Sequence, residues 1–383
     1  MISYGKQLID ADDINAVVEV LKSDWLTQGP NVAKFENSVK SYVGVDYAIA
    51  VNSATSALHI AYLALGLGKG DIVWTVPNTF VATSNAALYC GADVDFIDID
   101  LATFNICPIK LKDKLEQAKK NNCLPKIVTP VHFAGLSCDM EAISKLAEEY
   151  GFTIVEDASH AIGGKYKDTY VGSCKYSKIT IFSFHPVKII TTAEGGMLTT
   201  NDAILANKIL QLRSHGITRN IDEFEFPADG RWMYQQIDLG YNYRMPDINA
   251  ILGYSQMQKL ANFIERRNVI AKTYFDNFSE LPLGLQDCSS DILNAHHLYV
   301  ILCENQEQRK ELDSYLLANG ISCNVHYYPV YLQPFYRKLG FKSGYCPIAE
   351  DYYSRCLSIP MYAGLSDDEV RHISDLIISF YKK

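Results

Sequence analysis

Residues 179–199 read ITIFSFHPVKIITTAEGGMLT, and the fold follows from how this stretch is parsed. A β-branched apolar run, 179–184, enters it, and Gly195-Gly196 leads out into a second strand-like run at 197–200. Between the two stands one lysine, Lys188, among apolar or small neighbours. A charged group in such surroundings is costly unless it is neutralised, paired or used covalently. Two readings fit the stretch alone: an amine kept ready to condense with a carbonyl, and a loop-mouth lysine whose head reaches water.

Working outward, further short β-rich runs at 47–51, 72–76, 94–97, 127–131 and 153–155 alternate with helix-like segments. Several are continuous apolar stretches, the pattern of strands buried on both faces. Such alternation predicts an α/β fold with a mostly parallel central sheet flanked by helices. Upstream, Asp10 to Asp13 can cap a helix through Ile14, Val17, Val18 and Leu21, and a second amphipathic helix follows the break at Gly29-Pro30. Downstream, 202–215 reads as helix, 218–236 as an irregular polar and aromatic excursion, and 248–277 as one long helix. The tail mixes short strands (298–302, 322–326) with helices (306–318, 367–380). The expected organisation is a large α/β domain over 1–244 and a smaller C-terminal α+β domain over 245–383, which suits a chain of 383 residues.

A net charge of −9 with no basic stripe argues against nucleic acid as a partner. No apolar run is long enough to span a bilayer, and MISYGKQLIDADD lacks the basic-then-apolar form of a signal peptide, so the expected location is the cytoplasm, with no membrane partner. The ten cysteines show neither a CxxC nor a Cys/His cluster at metal spacing, which points to reduced thiols and no metal.

In open α/β sheets, ligands gather at the carboxyl ends of strands. After 47–51 comes Asn52-Ser53-Ala54-Thr55-Ser56-Ala57, whose hydroxyls and helix-start amides suit a phosphate or an ordinary cap. After 72–76 comes Pro77-Asn78-Thr79-Phe80, where Phe80 offers an aromatic face to a planar ligand or a side chain to the core. After 153–155 comes Glu156-Asp157-Ala158-Ser159-His160, an acid at the end of an apolar strand, suited to pairing with a buried cation. A phosphate anchor, an aromatic face, a strand-end aspartate and a later buried lysine share one economical explanation: pyridoxal 5′-phosphate (PLP) requires all four.

The sequence resembles, over essentially its whole length, the PLP-dependent sugar aminotransferases of the DegT/StrS type, fold type I. The resemblance is carried by Ser53-Ala54-Thr55-Ser56-Ala57-Leu58, residues 77–83, Glu156-Asp157-Ala158-Ser159-His160-Ala161, residues 183–188 with Glu194-Gly195-Gly196, Gly240-Tyr241-Asn242-Tyr243-Arg244 and Val325-His326-Tyr327-Tyr328-Pro329. It implies that Lys188 is the Schiff-base lysine and Asp157 the partner of the pyridine nitrogen. Phe80 takes the ring-stacking position, and Thr55, Ser56 and Ser183 take phosphate positions. His160 either lies near the ring hydroxyl or makes a structural hydrogen bond. Asn242 matches an asparagine that reaches the phosphate of a neighbouring subunit's cofactor, which implies a homodimer with shared active sites. His185, Arg244, His326 and Tyr327 fall on the substrate side, whereas the pair His296-His297 reads as structural. The implied reaction moves an amino group from L-glutamate, through the pyridoxamine 5′-phosphate form, to a nucleotide-linked keto sugar. SATSAL, DASHAIG and SFHPVKIITTAEGG are most similar to members that aminate the C4 ketone of UDP-4-keto-6-deoxy-N-acetyl-L-altrosamine for pseudaminic acid biosynthesis. A dTDP- or GDP-linked keto sugar is the alternative. A dehydratase on the same fold would carry histidine at position 188, and a binding protein would carry an appended DNA-binding module or have lost Lys188 or Asp157.

Overall fold

A computed structural model of the chain describes residues 1–382. The apolar runs assemble into a seven-stranded sheet: β1 (Tyr47–Val51), β2 (Ile72–Thr75), β3 (Asp93–Phe96), β4 (Ile127–Val128), β5 (Thr153–Asp157), β6 (Ile179–Ser183) and β7 (Gly196–Thr200). Their spatial order is β1-β7-β6-β5-β4-β2-β3. The pairs from β6 through β5, β4 and β2 to β3 are parallel, while β7 runs antiparallel to both its neighbours. The reason is the connection: residues 184–195 return the chain to the same sheet without a crossover helix, so β7 comes back beside β6 reversed. In register, Gly196 stands opposite Ser183 on one side and Val51 on the other. The starts of β7 and the ends of β1, β5 and β6 therefore share one sheet edge, with the Lys188 loop rising from it. Every residue of β6 and β7 is buried.

Helices cover both faces. Asp10 and Asp13 form a reciprocal capping box for α1 (Ala11–Leu21), and Pro30 begins α2 (Pro30–Val43), which ends on Gly44 in the left-handed region. α3 (Ala54–Ala64) follows β1, α4 (Ala82–Tyr89) follows β2, and α5 (Pro108–Lys120), α6 (Met140–Tyr150) and α7 (Ala203–Arg213) complete the layers. The 218–236 excursion is pinned at its base by the antiparallel pair Ile217–Thr218 and Gln235–Gln236.

The expected single helix over 248–277 is two helices, α8 (Asp247–Met257) and α9 (Leu260–Phe278). At the break, Gln256 donates to the Asp13 carboxylate and the Leu8 carbonyl, and Lys259 pairs with Asp10 and Asp13. Helical periodicity cannot report such long-range partners. α8 thereby lies on α1 and α2, while α9 runs on to pack against Asp367–Tyr381. A second, antiparallel sheet orders Gly284–Leu285, Tyr299–Leu302 and Cys356–Ile359, with Gln306–Ala318 and Asp367–Tyr381 around it. The strand expected at 322–326 is only Ile321–Ser322, paired in parallel with Ile2–Ser3; beyond it Asn324 bridges Ser358 and the chain turns to the large sheet. Among the described residues no helix is long and apolar enough to cross a membrane.

Asp247 is fully buried and accepts the N–H groups of Gly29 (2.7 Å) and Asn31 (2.9 Å) at the start of α2. A carboxylate there satisfies donors that the helix cannot and opposes the helix dipole. Asp247→Ala strands both donors, so unfolding by denaturant should show a loss of roughly 2–4 kcal/mol.

Candidate active site

The strand-end edge borders a cavity of about 600 Å³, within the usual size of a small-molecule site. Its floor is set by the β7–α3 contact. A Cβ on Gly196 would lie 2.5 Å from the Ala54 nitrogen and 2.6 Å from the Ser53 carbonyl carbon, so only glycine lets the strand start meet the helix start. Ser53 caps α3 by accepting from the Ser56 N–H at 3.1 Å. Ser53, Ala54 and Thr55 line the cavity, which puts the free amide end of α3 on it. Ser183, the last residue of β6, lines it from beside Gly196.

Asp157 closes β5 and is 3% exposed. Its Oδ2 accepts from the Thr83 hydroxyl at 2.7 Å and its Oδ1 from the Ser159 N–H at 3.1 Å. Across the cavity, Lys188 is half-buried. Burial pulls its amine down to about 8, against the opposing pull of the Asp157 carboxylate. Lys188 is therefore neither a solvated loop lysine nor a tight ion pair; it is a desolvated amine with one carboxylate near enough to feel.

Three histidines share the inner wall. His160 accepts the Ala134 N–H on Nδ1 at 3.3 Å, so its proton resides on Nε2. Burial, reinforced by Lys188 and His326, holds His160 well below the ordinary histidine range. Burial and Lys188 hold His326 at about 3, and its Nδ1 meets the Ser358 hydroxyl at 2.8 Å. Tyr327 stacks at 27° to His160, with centroids 6.4 Å apart, and lies 6.2 Å from Phe80. Phe80 is 59% exposed, an aromatic face left uncovered at the cavity rim.

Of the residues singled out in the sequence, the cavity brings together Thr55, Phe80, Asp157, His160, Ser183, His185, Lys188, His326 and Tyr327. Ser56, Asn242 and Arg244 do not line it. The Ser56 hydroxyl turns onto the Asn52 side chain at 2.7 Å. Asn242 is exposed and bridges Ser214, and Arg244 bridges Val51 on the outer side of β1. Three further lining residues, Thr83, Tyr4 and His297, were not assigned a site role from the sequence. Thr83 lay inside a motif already marked, one helical turn beyond Phe80. Tyr4 had no signal, because long-range partners bring it to the site: Ile321–Ser322 pair with Ile2–Ser3, and the Met361 N–H donates to the Tyr4 carbonyl. His297, expected to be structural, lines the cavity with its ring 4.4 Å from that of His160.

Residues 7–378 match the model of the DegT/DnrJ/EryC1/StrS aminotransferase family. The chain belongs to that family. A relative from Campylobacter jejuni named UDP-4-amino-4,6-dideoxy-N-acetyl-beta-L-altrosamine transaminase is 40% identical over 389 residues, covering 100% of this chain and 98% of the relative. The structure of Helicobacter pylori PseC, described as an aminotransferase involved in the biosynthesis of pseudoaminic acid, superposes with a TM-score of 0.89 at 31% identity, covering 100% of this chain and 99% of that one. The PLP-form of the putative sugar aminotransferase Spr1654 from Streptococcus pneumoniae has a TM-score of 0.88 at 29% identity, covering 99% and 97%. The cavity of this family member brings together an amine, a carboxylate and a helix start.

Because the folded Lys188 amine is depressed from 10.5 to about 8, the unfolded chain binds more protons between those values, and stability rises with pH across that window. Lys188→Met in the cofactor-free protein should therefore raise stability at pH 7 by about 1–3 kcal/mol. That gain should shrink as pH climbs from 8 towards 10.5, in unfolding curves measured across the range.

Proposed function

We propose that this chain uses PLP to transfer the amino group of L-glutamate to the C4 ketone of UDP-4-keto-6-deoxy-N-acetyl-L-altrosamine, in pseudaminic acid biosynthesis. The observation that carries the reading is the depressed Lys188 amine sharing one cavity with Asp157 and the α3 start. The residues fit the cofactor. Gly196 leaves the α3 amides uncovered for a phosphate, Phe80 offers an unpacked ring face, Asp157 has its charge anchored by two donors, and His160 carries its proton on Nε2. Thr55 and Ser183 would hold the phosphate, Phe80 the ring face, Asp157 the ring nitrogen, and Lys188 the aldehyde carbon. When bound, PLP supplies an electron sink and a carrier for the amino group.

The chain's own residues supply the rest. At pH 7 an amine with a value of about 8 is neutral about one time in ten, so Lys188 Nζ can accept the α-proton of glutamate and, in the second half of the reaction, deliver a proton to C4 of the ketone. The face of C4 open to Nζ sets the configuration of the amino sugar. The Thr83 and Ser159 donors fix the Asp157 carboxyl in place, where it would pair with a protonated ring nitrogen. His185 at the mouth and His326 and Tyr327 on the inner wall take the substrate side. The enzyme works as a homodimer in which Asn242 of each copy serves the other copy's phosphate site, in keeping with its exposed position away from its own cavity. Arg244 is assigned to the substrate side, although it does not line the cavity of its own copy.

Purified enzyme should absorb in the visible range after reconstitution with PLP, and glutamate should bleach that band; no change with glutamate would remove L-glutamate as donor. Lys188→Ala should abolish turnover. Among UDP-, dTDP- and GDP-linked 4-keto sugars, the UDP-linked L-altro ketone should be aminated fastest by mass spectrometry, and conversion of another member alone would reassign the substrate. Mixing inactive Lys188→Ala and Asn242→Ala proteins should restore about one wild-type site per mixed dimer; no recovery after subunit exchange would assign Asn242 to its own copy's site, and an active Asn242→Ala protein would place it outside the site.

A further inference from the structure

Beside Asp157 stands a second carboxylate, Glu156, whose side chain points to the other face of β5 and which the reaction does not use. It is 5% exposed and accepts from His132 Nε2 at 2.7 Å, Ser177 Oγ at 2.5 Å and Thr180 Oγ1 at 3.1 Å. Although burial opposes its charge, the bonds from His132, Ser177 and Thr180 hold its carboxyl below the ordinary range. His132 is fully buried, and its Nδ1 accepts the Cys138 N–H at 3.0 Å. That bond leaves the proton on Nε2, so the ring spends both nitrogens: one ties the two ends of the turn 132–138 together and the other ties the turn to β5.

The same turn touches both polar groups assigned to the cofactor ring. The Asp157 carbonyl accepts the His132 N–H at 3.0 Å, and the Asp157 N–H donates to the Pro130 carbonyl at 2.9 Å. Two residues on, the Ala134 N–H sets the tautomer of His160. Ala134 adopts φ 60° and Gly135 φ 103°, and a Cβ on Gly135 would lie 2.7 Å from the His296 nitrogen. The backbone is therefore clamped between β5 and the 294–298 segment, and a change at His132 reaches Ala134 directly.

We propose that the buried His132–Glu156 pair is a positioning device: it holds the 130–138 turn so that Asp157 presents its carboxylate and the Ala134 N–H keeps His160 in its Nε2–H form. Neither residue reaches the cavity; both act through Asp157 and His160. The idea rests on the cofactor reading above, but half of its test does not.

In cofactor-free protein labelled with [15N]histidine, NMR should find His160 as a single Nε2–H tautomer, with the resonance assigned through His160→Gln. Glu156→Gln keeps the volume but turns an NH2 group towards one of three donors. It should mix the His160 tautomers and weaken PLP binding on the order of tenfold, the scale of one lost charge-assisted bond. Ser177→Ala removes a bond to the same carboxylate without touching the turn, and should lower the thermal midpoint while leaving the tautomer and PLP affinity unchanged. Should Glu156→Gln fail to fold, His132→Asn carries the test, since its Oδ1 can still accept from Cys138 while the donor to Glu156 is lost. A folded variant with wild-type His160 shifts and wild-type PLP affinity would overturn the proposal, and so would Ser177→Ala matching Glu156→Gln in both. If wild-type protein binds no PLP, the cofactor reading fails by itself and the tautomer measurement still decides the role of the pair.

Discussion

A primary amine held away from bulk water, with one carboxylate near enough to compensate it, sets the terms for everything around the cavity. Burial alone would drive Lys188 towards its neutral form, and Asp157 alone would keep it charged; the balance, at about 8, is useful only while both influences persist. The inner wall adds no further charge, because His160, His297 and His326 are all pushed towards neutrality by burial and by the nearby amine. Lys188 and Asp157 share the cavity with three imidazoles held towards neutrality, while Glu194 and His185 border it at exposed positions.

That balance depends on backbone placement more than on side-chain chemistry. The antiparallel return of β7 brings Gly196 between Val51 and Ser183, so the α3 start, the end of β6 and the Lys188 loop meet at one point. A crossover helix between β6 and β7 would have made β7 parallel and sent its start to the opposite edge of the sheet. Asp157 reaches the same edge because β5 runs two residues further than its apolar core, drawn out by pairing with Ile181 and by the Pro130 and His132 bonds. Behind it, the buried Glu156 and His132 join the strand to the turn that orients His160.

The helix break at Gln258 and Lys259 shows the same dependence at larger scale. α8 packs against α1 and α2, while α9 packs against the helix Asp367–Tyr381, and a straight helix could not serve both. The polar residues that make the break find their partners about 250 positions away on α1 and just before it. The short strand Ile2–Ser3 then joins the first residues of the chain to the C-terminal unit and delivers Tyr4 to the cavity.

The amino-acid sequence by itself determined the fold class, the seven sheet strands to within a few residues, and the amine, acid, aromatic and hydroxyl groups at their ends. These are local properties: apolar runs select buried strands, and residues that follow a parallel strand emerge at its carboxyl edge. It also marked Thr83, though not its bond to Asp157. Only the tertiary structure decided which of these groups share a cavity. It turned Ser56 onto Asn52, left Asn242 and Arg244 outside, brought in Tyr4 and His297, and fixed the tautomer of His160 through a backbone amide. The physical reason is that each such contact joins residues far apart in the chain or depends on the direction of a single hydrogen bond, and no periodicity in the sequence encodes either.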